Sequence, residues 1–195
     1  MKKLLITGFD PFGANTVNPS WLAVSQLPEQ IGGFQLRKHM LPTVFGEAPR
    51  RVLQEAAAWE PDVILCIGLA AGRNAVTPER IGVNIRDARI ADNAGNRPEG
   101  EFVVPGGPAA YFATVPVASM ARAIQEAGIP GAVSNSAGTF VCNDTLYTLL
   151  HHYDGTVTRV GFIHIPALPE QSQNGLSLNR VITALTAAIR ACEIR

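Results

Sequence analysis

A chain of 195 residues that is 47% hydrophobic and only 16% charged is long enough to bury one sizeable core and short for two, so a single globular domain spanning 1–195 is expected. Lysine plus arginine equals aspartate plus glutamate, 16 against 16, and neither sign forms a long run, which argues against nucleic acid or a membrane surface as partner. The modest surface charge leaves room for a buried interface between copies of the chain.

Three widely spaced cysteines, Cys66, Cys142 and Cys192, include no Cys-x-x-Cys pair and are odd in number. That pattern fits a reducing compartment better than a disulfide framework. The opening Met1-Lys2-Lys3-Leu4-Leu5-Ile6 begins like a signal peptide, but Asp10 and Pro11 interrupt the apolar run. It is too short for a targeting segment or a membrane span and reads as a first strand, so a cytoplasmic location is expected.

Lys3 to Gly8 is a short β-rich run, followed by the loop Phe9-Asp10-Pro11-Phe12-Gly13-Ala14-Asn15. Asn18-Pro19 reads as an N-cap with proline at the first helical position, which predicts a helix from about Pro19 to Leu27. Phe34 to Leu41 is strand-like, and Gly46 to Trp59 is an alanine-rich helix. Asp62 to Leu69 is a continuous apolar run, as expected of a central parallel strand buried on both faces.

From Ala70 to Gly107 the pattern weakens. Arg80 to Arg89 alternates through Ile81, Val83 and Ile85 like a strand with one wet face, and Ala91 to Pro98 is turn chemistry. A small β excursion near residues 80–107 is therefore expected beside the main sheet or across to another subunit. A helix near Pro116 to Ala127, a strand at Gly131 to Ser134, a helix after Cys142, a strand at Arg159 to Ile165 and a helix at Leu178 to Cys192 complete the chain. Strands alternating with helices predict a three-layer α/β/α sandwich with a mainly parallel sheet. In such folds sites form beyond the carboxyl ends of the strands.

Candidate residues are filtered by that rule. Cys142 ends the polar stretch Ser134-Asn135-Ser136-Ala137-Gly138-Thr139-Phe140-Val141-Cys142-Asn143 and opens a helix carrying Leu146, Leu149 and Leu150. The positive end of the helix dipole and unpaired backbone N–H groups there favour thiolate. His164 lies in Phe162-Ile163-His164-Ile165-Pro166, at the end of a strand on the same sheet edge. By contrast, His39 falls within a strand, and His151-His152 suit the dipole at a helix C-terminus.

Cysteine and histidine so placed make a nucleophile and base, and a third group is expected to orient the imidazole. Local chemistry does not choose among Asp10, Glu79, Asp87, Asp92 and Asp144. Phe9 and Phe12 offer rings at a strand end where a ligand could sit, or fold inward to anchor the loop. The run Gly68-Leu69-Ala70-Ala71-Gly72-Arg73 lacks the spacing of a phosphate-binding loop. No histidine or cysteine spacing suits a metal.

Several motifs together resemble the pyroglutamyl peptidases of the cysteine type, also called pyrrolidone-carboxylate peptidases. They are Gly8-Phe9-Asp10-Pro11-Phe12-Gly13, Gly72-Arg73 followed by Thr77-Pro78-Glu79-Arg80, Asp92-Asn93-Ala94-Gly95-Asn96, Ser134 to Asn143, and Phe162 to Pro166, in family order across most of the chain. The resemblance implies an α/β/α fold, no cofactor, a cytoplasmic location and frequently a homotetramer. It also implies a Cys142–His164–Glu79 triad acting on peptides with an N-terminal pyroglutamyl residue.

For the uncharged lactam an apolar pocket is expected, with Phe9 and Phe12 as walls and with backbone near Phe140 and Val141, and Asn18, at its polar edge. The N–H of Cys142 and the Arg73 loop are expected to hold the oxyanion. In one departure, Leu69 stands where many relatives carry glutamine, which bears on fine substrate preference. Two other readings of the residues are a thiol amidase of the same fold with a different small acyl substrate, and a non-catalytic small-molecule binding domain.

Overall fold

The computed structural model of the chain describes residues 1–13 and 16–193, so Ala14 and Asn15 of the first loop lie outside the described residues. The elements are β1 (Lys2–Phe9), α1 (Pro19–Gln26), β2 (Gln30–Ile31), β3 (Phe34–Leu41), α2 (Glu47–Trp59), β4 (Val63–Leu69) and β5 (Thr77–Pro78). They continue with β6 (Ile81–Val83), β7 (Ala110–Phe112), α3 (Val117–Glu126), α4 (Val141–His152), β8 (Arg159–Ile165) and α5 (Leu178–Ala191).

Six strands form one sheet in the order β2-β3-β1-β4-β8-β5. Its four central strands are parallel, and the two-residue edge strands β2 and β5 run antiparallel to their neighbours. Because side chains alternate along a strand, each central strand feeds both faces. Leu4, Ile6, Leu65, Ile67, Ile163 and Ile165 pack with α1, α3 and α5 on one face. Leu5, Ile64, Cys66, Val160 and Phe162 pack with α2 and α4 on the other. The result is the three-layer α/β/α sandwich with a mainly parallel sheet, and dual burial explains the unbroken apolar runs of β4 and β8.

Asn18 caps α1 as its sequence predicts, accepting the N–H of Ser20 on its side chain. The β excursion pairs β6 with β7, reaching to Phe112, and most of Arg80 to Arg89 is not strand. Only an isolated bridge from Arg86 to Glu101 continues the pairing.

Gly131 to Ser134 also departs from expectation. It makes two isolated parallel bridges, Val76 with Gly131 and Glu79 with Ser134, instead of a strand. Pro78 lies between those bridges and has no N–H to contribute to a continuous ladder. β2, β5 and β7, of two or three residues each, leave too little periodicity to be read in sequence. Among the described residues no helix is long and apolar enough to cross a membrane.

Candidate active site

The parallel pairing of β4 with β8 sets Gly68 directly across from His164, and both strands end within a residue or two of that pair. The sulfur of Cys142 lies over Gly68. A Cβ at position 68 would fall 3.0 Å from Sγ and 2.8 Å from the Phe162 ring, so only glycine leaves space for the thiol. Sulfur and imidazole thus stand over neighbouring strands, whose spacing is about 4.8 Å.

Antiparallel pairing of β5 with β8 aligns Thr77 with His164, and the N–H of Glu79 donates to the Phe162 carbonyl at 2.8 Å. The fully buried Glu79 then meets His164 Nδ1 through Oε1 at 2.7 Å. The other ring nitrogen, Nε2, is left for chemistry. Of the five acids that the local pattern left open, Glu79 is the one bonded to His164.

The other four have different partners. Asp10 accepts from the Thr43 N–H and hydroxyl and from Asn93, and Asp92 ties the Phe45, Ala94 and Asn96 N–H groups together. The backbone of Asp87 pairs with Thr139. Asp144 accepts from Arg86 and from the N–H of Gly46, both at 2.7 Å. His39 lies 3.8 Å from Glu55, and His151 meets the Tyr111 hydroxyl at 2.9 Å, away from the cleft.

The charge states follow from burial. Burial pushes the Glu79 carboxyl up, but the hydrogen bond and charge of His164, with Ser134 and Arg73, outweigh it and hold the carboxyl below its usual value. For His164, burial wins over the pull of Glu79, and the pKa falls below its ordinary 6.5. The Cys142 thiol is pushed up to about 12 by burial, then by the negative charge of Glu79, with a smaller contribution from Cys66; Arg73 and its own N–H only partly offset these.

The helix N-terminus favours thiolate, but burial and the Glu79 charge push the thiol pKa the other way. A helix N-terminus alone does not outweigh desolvation beside a carboxylate. Burial and the Glu79 charge thus oppose ionisation of the thiol, and burial favours the neutral imidazole.

Arg73 also moves from its expected place. Its Nη1 pairs with Glu79 Oε1 at 2.6 Å and with the Thr77 hydroxyl, and its Nη2 donates to the Ser136 carbonyl at 2.9 Å. The guanidinium is thus spent on the acid behind the imidazole and on the loop before α4, and does not line the cleft. A charged group near a buried carboxylate is drawn to it more strongly than to a site open to water.

The helix that Cys142 opens is held at its start by buried polar groups. Asn143, wholly buried, joins the edge of β6 by accepting from the Val83 N–H at 2.9 Å and donating to the Val83 and Ile85 carbonyls at 2.8 and 3.0 Å. With the Asp144 contacts to Gly46 and Arg86, this fixes α4 against both the excursion and the α2 loop. Gly138 provides the turn into the helix at φ +76°. Phe140 is the N-cap and offers no side-chain acceptor, so the first N–H groups of α4, including that of Cys142, are not taken by a cap.

Phe9, Phe12, Val17, Asn18, Thr43, Leu69, Phe140 and Cys142 line a cleft of about 480 Å³, counted to its open mouth. Phe140 contacts Phe12 at 5.3 Å and Phe45 edge-on at 5.1 Å, centroid to centroid. Phe9 reaches the wall from β1 and is nearly buried.

Among the anticipated contacts, the Val141 side chain is buried in the core, which leaves only its backbone for a ligand. Asn18 is in the wall, but its amide donates to the Asp10 carbonyl and its oxygen accepts from Ser20. Thr43 likewise gives its hydroxyl proton to Asp10. Thr43, Val17 and the supporting Phe45 were missed in sequence because each comes from a loop with no motif of its own.

Comparison with known proteins bears directly on this arrangement. A family profile described as pyroglutamyl peptidase matches residues 2–194. The chain belongs to the pyroglutamyl peptidase family. A pyrrolidone-carboxylate peptidase of Levilactobacillus brevis is 49% identical over 199 residues, covering 98% of both chains. The crystal structure of Bacillus amyloliquefaciens pyroglutamyl peptidase I superposes with a TM-score of 0.96 at 42% identity, covering all of this chain and 98% of the other. A Thermococcus litoralis pyrrolidone carboxyl peptidase gives 0.94 at 34% identity over 99% and 94%. Membership of the family agrees with the sandwich fold and with the chain order of the motifs around Glu79, Cys142 and His164.

Proposed function

We propose that this chain is a cysteine exopeptidase that cleaves the amide bond after an N-terminal pyroglutamyl residue, with Cys142 as nucleophile, His164 as acid and base, and Glu79 as the group that orients the imidazole. The single observation that carries the reading is the Glu79–His164 contact at 2.7 Å beside a thiol lodged over Gly68, at the foot of an apolar cleft.

With the thiol pKa raised and the imidazole pKa lowered, attack and proton transfer are coupled. Sγ bonds to the carbonyl carbon as its proton passes to His164 Nε2, and the carbonyl π electrons move onto oxygen. The oxyanion is met by the N–H of Cys142 at the uncapped start of α4; one such donor is worth about 10²- to 10³-fold in rate. The tetrahedral adduct collapses, the C–N bond breaks, and the imidazolium proton leaves on the amine.

Water then attacks the thioester, giving one proton to His164. The thiolate leaves, is reprotonated by the imidazolium, and pyroglutamate is released. Glu79 bonds Nδ1–H throughout and stabilises the imidazolium, while Arg73 keeps Glu79 ionised.

Phe9, Phe12 and Phe140 form the apolar walls around the lactam. With Asn18 and Thr43 committed to the loops, the polar edge of the ring is met by backbone at Phe140 and Val141. Leu69 makes the wall beside Cys142 apolar. The chain is one domain that acts on pyroglutamyl peptides in the cytoplasm, needs no cofactor, and assembles as a homo-oligomer, a tetramer by resemblance to the family.

The test is side-by-side hydrolysis of pyroglutamyl, prolyl and glutamyl amides by wild-type protein and by Cys142→Ala. Turnover confined to the pyroglutamyl amide and lost in the variant is the expected result. Comparable rates on all three substrates would overturn the lactam specificity, and an active Cys142→Ala would overturn the nucleophile.

A further inference from the structure

Glu79 receives both of its strong donors on one oxygen. His164 and Arg73 meet Oε1 at 2.7 and 2.6 Å, while Oε2 is buried with no hydrogen-bond partner. A carboxylate oxygen withdrawn from water without a donor is costly, and native structures rarely leave one so.

The neighbour across the chain is Ser134. The two residues form an isolated parallel bridge, in which the Arg80 N–H donates to the Ser134 carbonyl at 2.8 Å and the Ser134 N–H to the Pro78 carbonyl at 2.9 Å. Paired residues project to the same face of a ladder, which sets the hydroxyl beside the carboxylate, close enough to help hold the Glu79 pKa down.

The hydroxyl proton of Ser134 points to the Ser136 carbonyl at 3.1 Å, and its oxygen accepts the Ser136 N–H at 3.3 Å. That carbonyl already receives Arg73 Nη2 at 2.9 Å. The Ser136 carbonyl is thus served by two donors, whereas Oε2 has none, and Ser134 is the hydroxyl residue paired with Glu79 across the bridge.

We propose that Ser134 is a positioning residue of the site, turning its hydroxyl to Glu79 Oε2 so that the carboxylate is held by a donor on each oxygen while Oε1 stays on the imidazole. The inference rests on the reading of Glu79 and His164 as catalytic partners. Without this donor the carboxylate charge concentrates on Oε1, which pulls harder on the Nδ1 proton and raises the His164 pKa, and the carboxylate is freer to swing away from the ring.

The test uses full-length protein carrying Ser134→Ala or Ser134→Thr. In a Cys142→Ser background, NMR titration of the His164 ring should show a higher midpoint for Ser134→Ala and an unchanged one for Ser134→Thr. In the active background, Ser134→Ala should lower kcat about tenfold with KM within about twofold, as expected for a lost hydrogen bond to a charged group, and Ser134→Thr should restore kcat. An unchanged His164 midpoint in Ser134→Ala, or equal losses in the Ala and Thr variants, would overturn the proposal.

The bridge is made by backbone, so neither change removes it; should Ser134→Ala fail to fold, Ser134→Val against Ser134→Thr isolates the hydroxyl at constant shape. The titration reads the contact with Glu79 without turnover. Failure of the catalytic reading itself would show separately, as activity retained in Cys142→Ala.

Discussion

The two sides of the cleft are built on different principles and meet at Cys142. On one side Phe12, Phe45 and Phe140 meet in tilted and edge contact and Phe9 leans on Phe162, which fixes shape without fixing any proton. On the other, Arg73, Glu79 and His164 form a buried chain of charged hydrogen bonds at 2.6 and 2.7 Å, where one misplaced donor changes the protonation of its neighbours. On the proposed function the apolar side governs which substrate is held, and the charged side governs how fast it reacts. A loss on the first belongs in KM and a loss on the second in kcat.

The largest effect that separates the sides is expected from Glu79→Gln, which keeps shape and removes the charge opposite the imidazolium. kcat should fall about 10²- to 10⁴-fold with little change in KM, measured on a pyroglutamyl amide. Gly68→Ala comes next. The added Cβ, at 2.8 Å from the Phe162 ring and 3.0 Å from Sγ, forces the thiol or the ring aside, and kcat should drop about a hundredfold through misplacement of the nucleophile.

Phe12→Ala tests the opposite wall. KM should rise about tenfold, the size of effect that follows from removing an aromatic contact surface, with kcat kept within about threefold. If Phe12→Ala acted on kcat alone, the division of labour would be wrong.

The pH profile sharpens the charged side further. Neutral imidazole is the base, so kcat/KM should be lost as pH falls through the His164 pKa, which burial sets below 6.5. Removing the Arg73 charge in Arg73→Met lifts that limb, because Arg73 is one of the groups that depress His164. A limb that stays in place or moves down in this variant would mean that the guanidinium does not act on the imidazole. The smallest effect is expected from His151→Ala. That histidine bonds to Tyr111 outside the cleft, and turnover should remain within about twofold of wild type.

Much of this was legible in the residues. The apolar runs of β4 and β8, the Asn18-Pro19 cap and the amphipathic helix behind Cys142 are local signals, and their elements appear within a residue or two of the expected places. Pairing Cys142 with His164 followed from the rule that sites form beyond the carboxyl ends of strands. The short edge strands β2 and β5 were not legible, nor was the interruption of Gly131 to Ser134, because two or three residues carry no periodicity and their pairing is set by distant neighbours. The upward push on the Cys142 pKa was not legible for the same reason: the helix dipole is a local property, while burial and the carboxylate of Glu79 come from elsewhere in the chain.

By itself the sequence determined the layered α/β architecture and put Cys142 and His164 forward as a candidate pair at one sheet edge, since hydrophobic period and strand ends are written in consecutive residues. Resemblance to a family then pointed to Glu79 among five acids. Only the tertiary structure decided that the Arg73 guanidinium pairs with Glu79, that Asn18 and Thr43 are bound to their own loops, and that burial pushes the Cys142 pKa up. Each of these depends on which groups share one low-dielectric space, and that is set by packing between segments far apart in the chain.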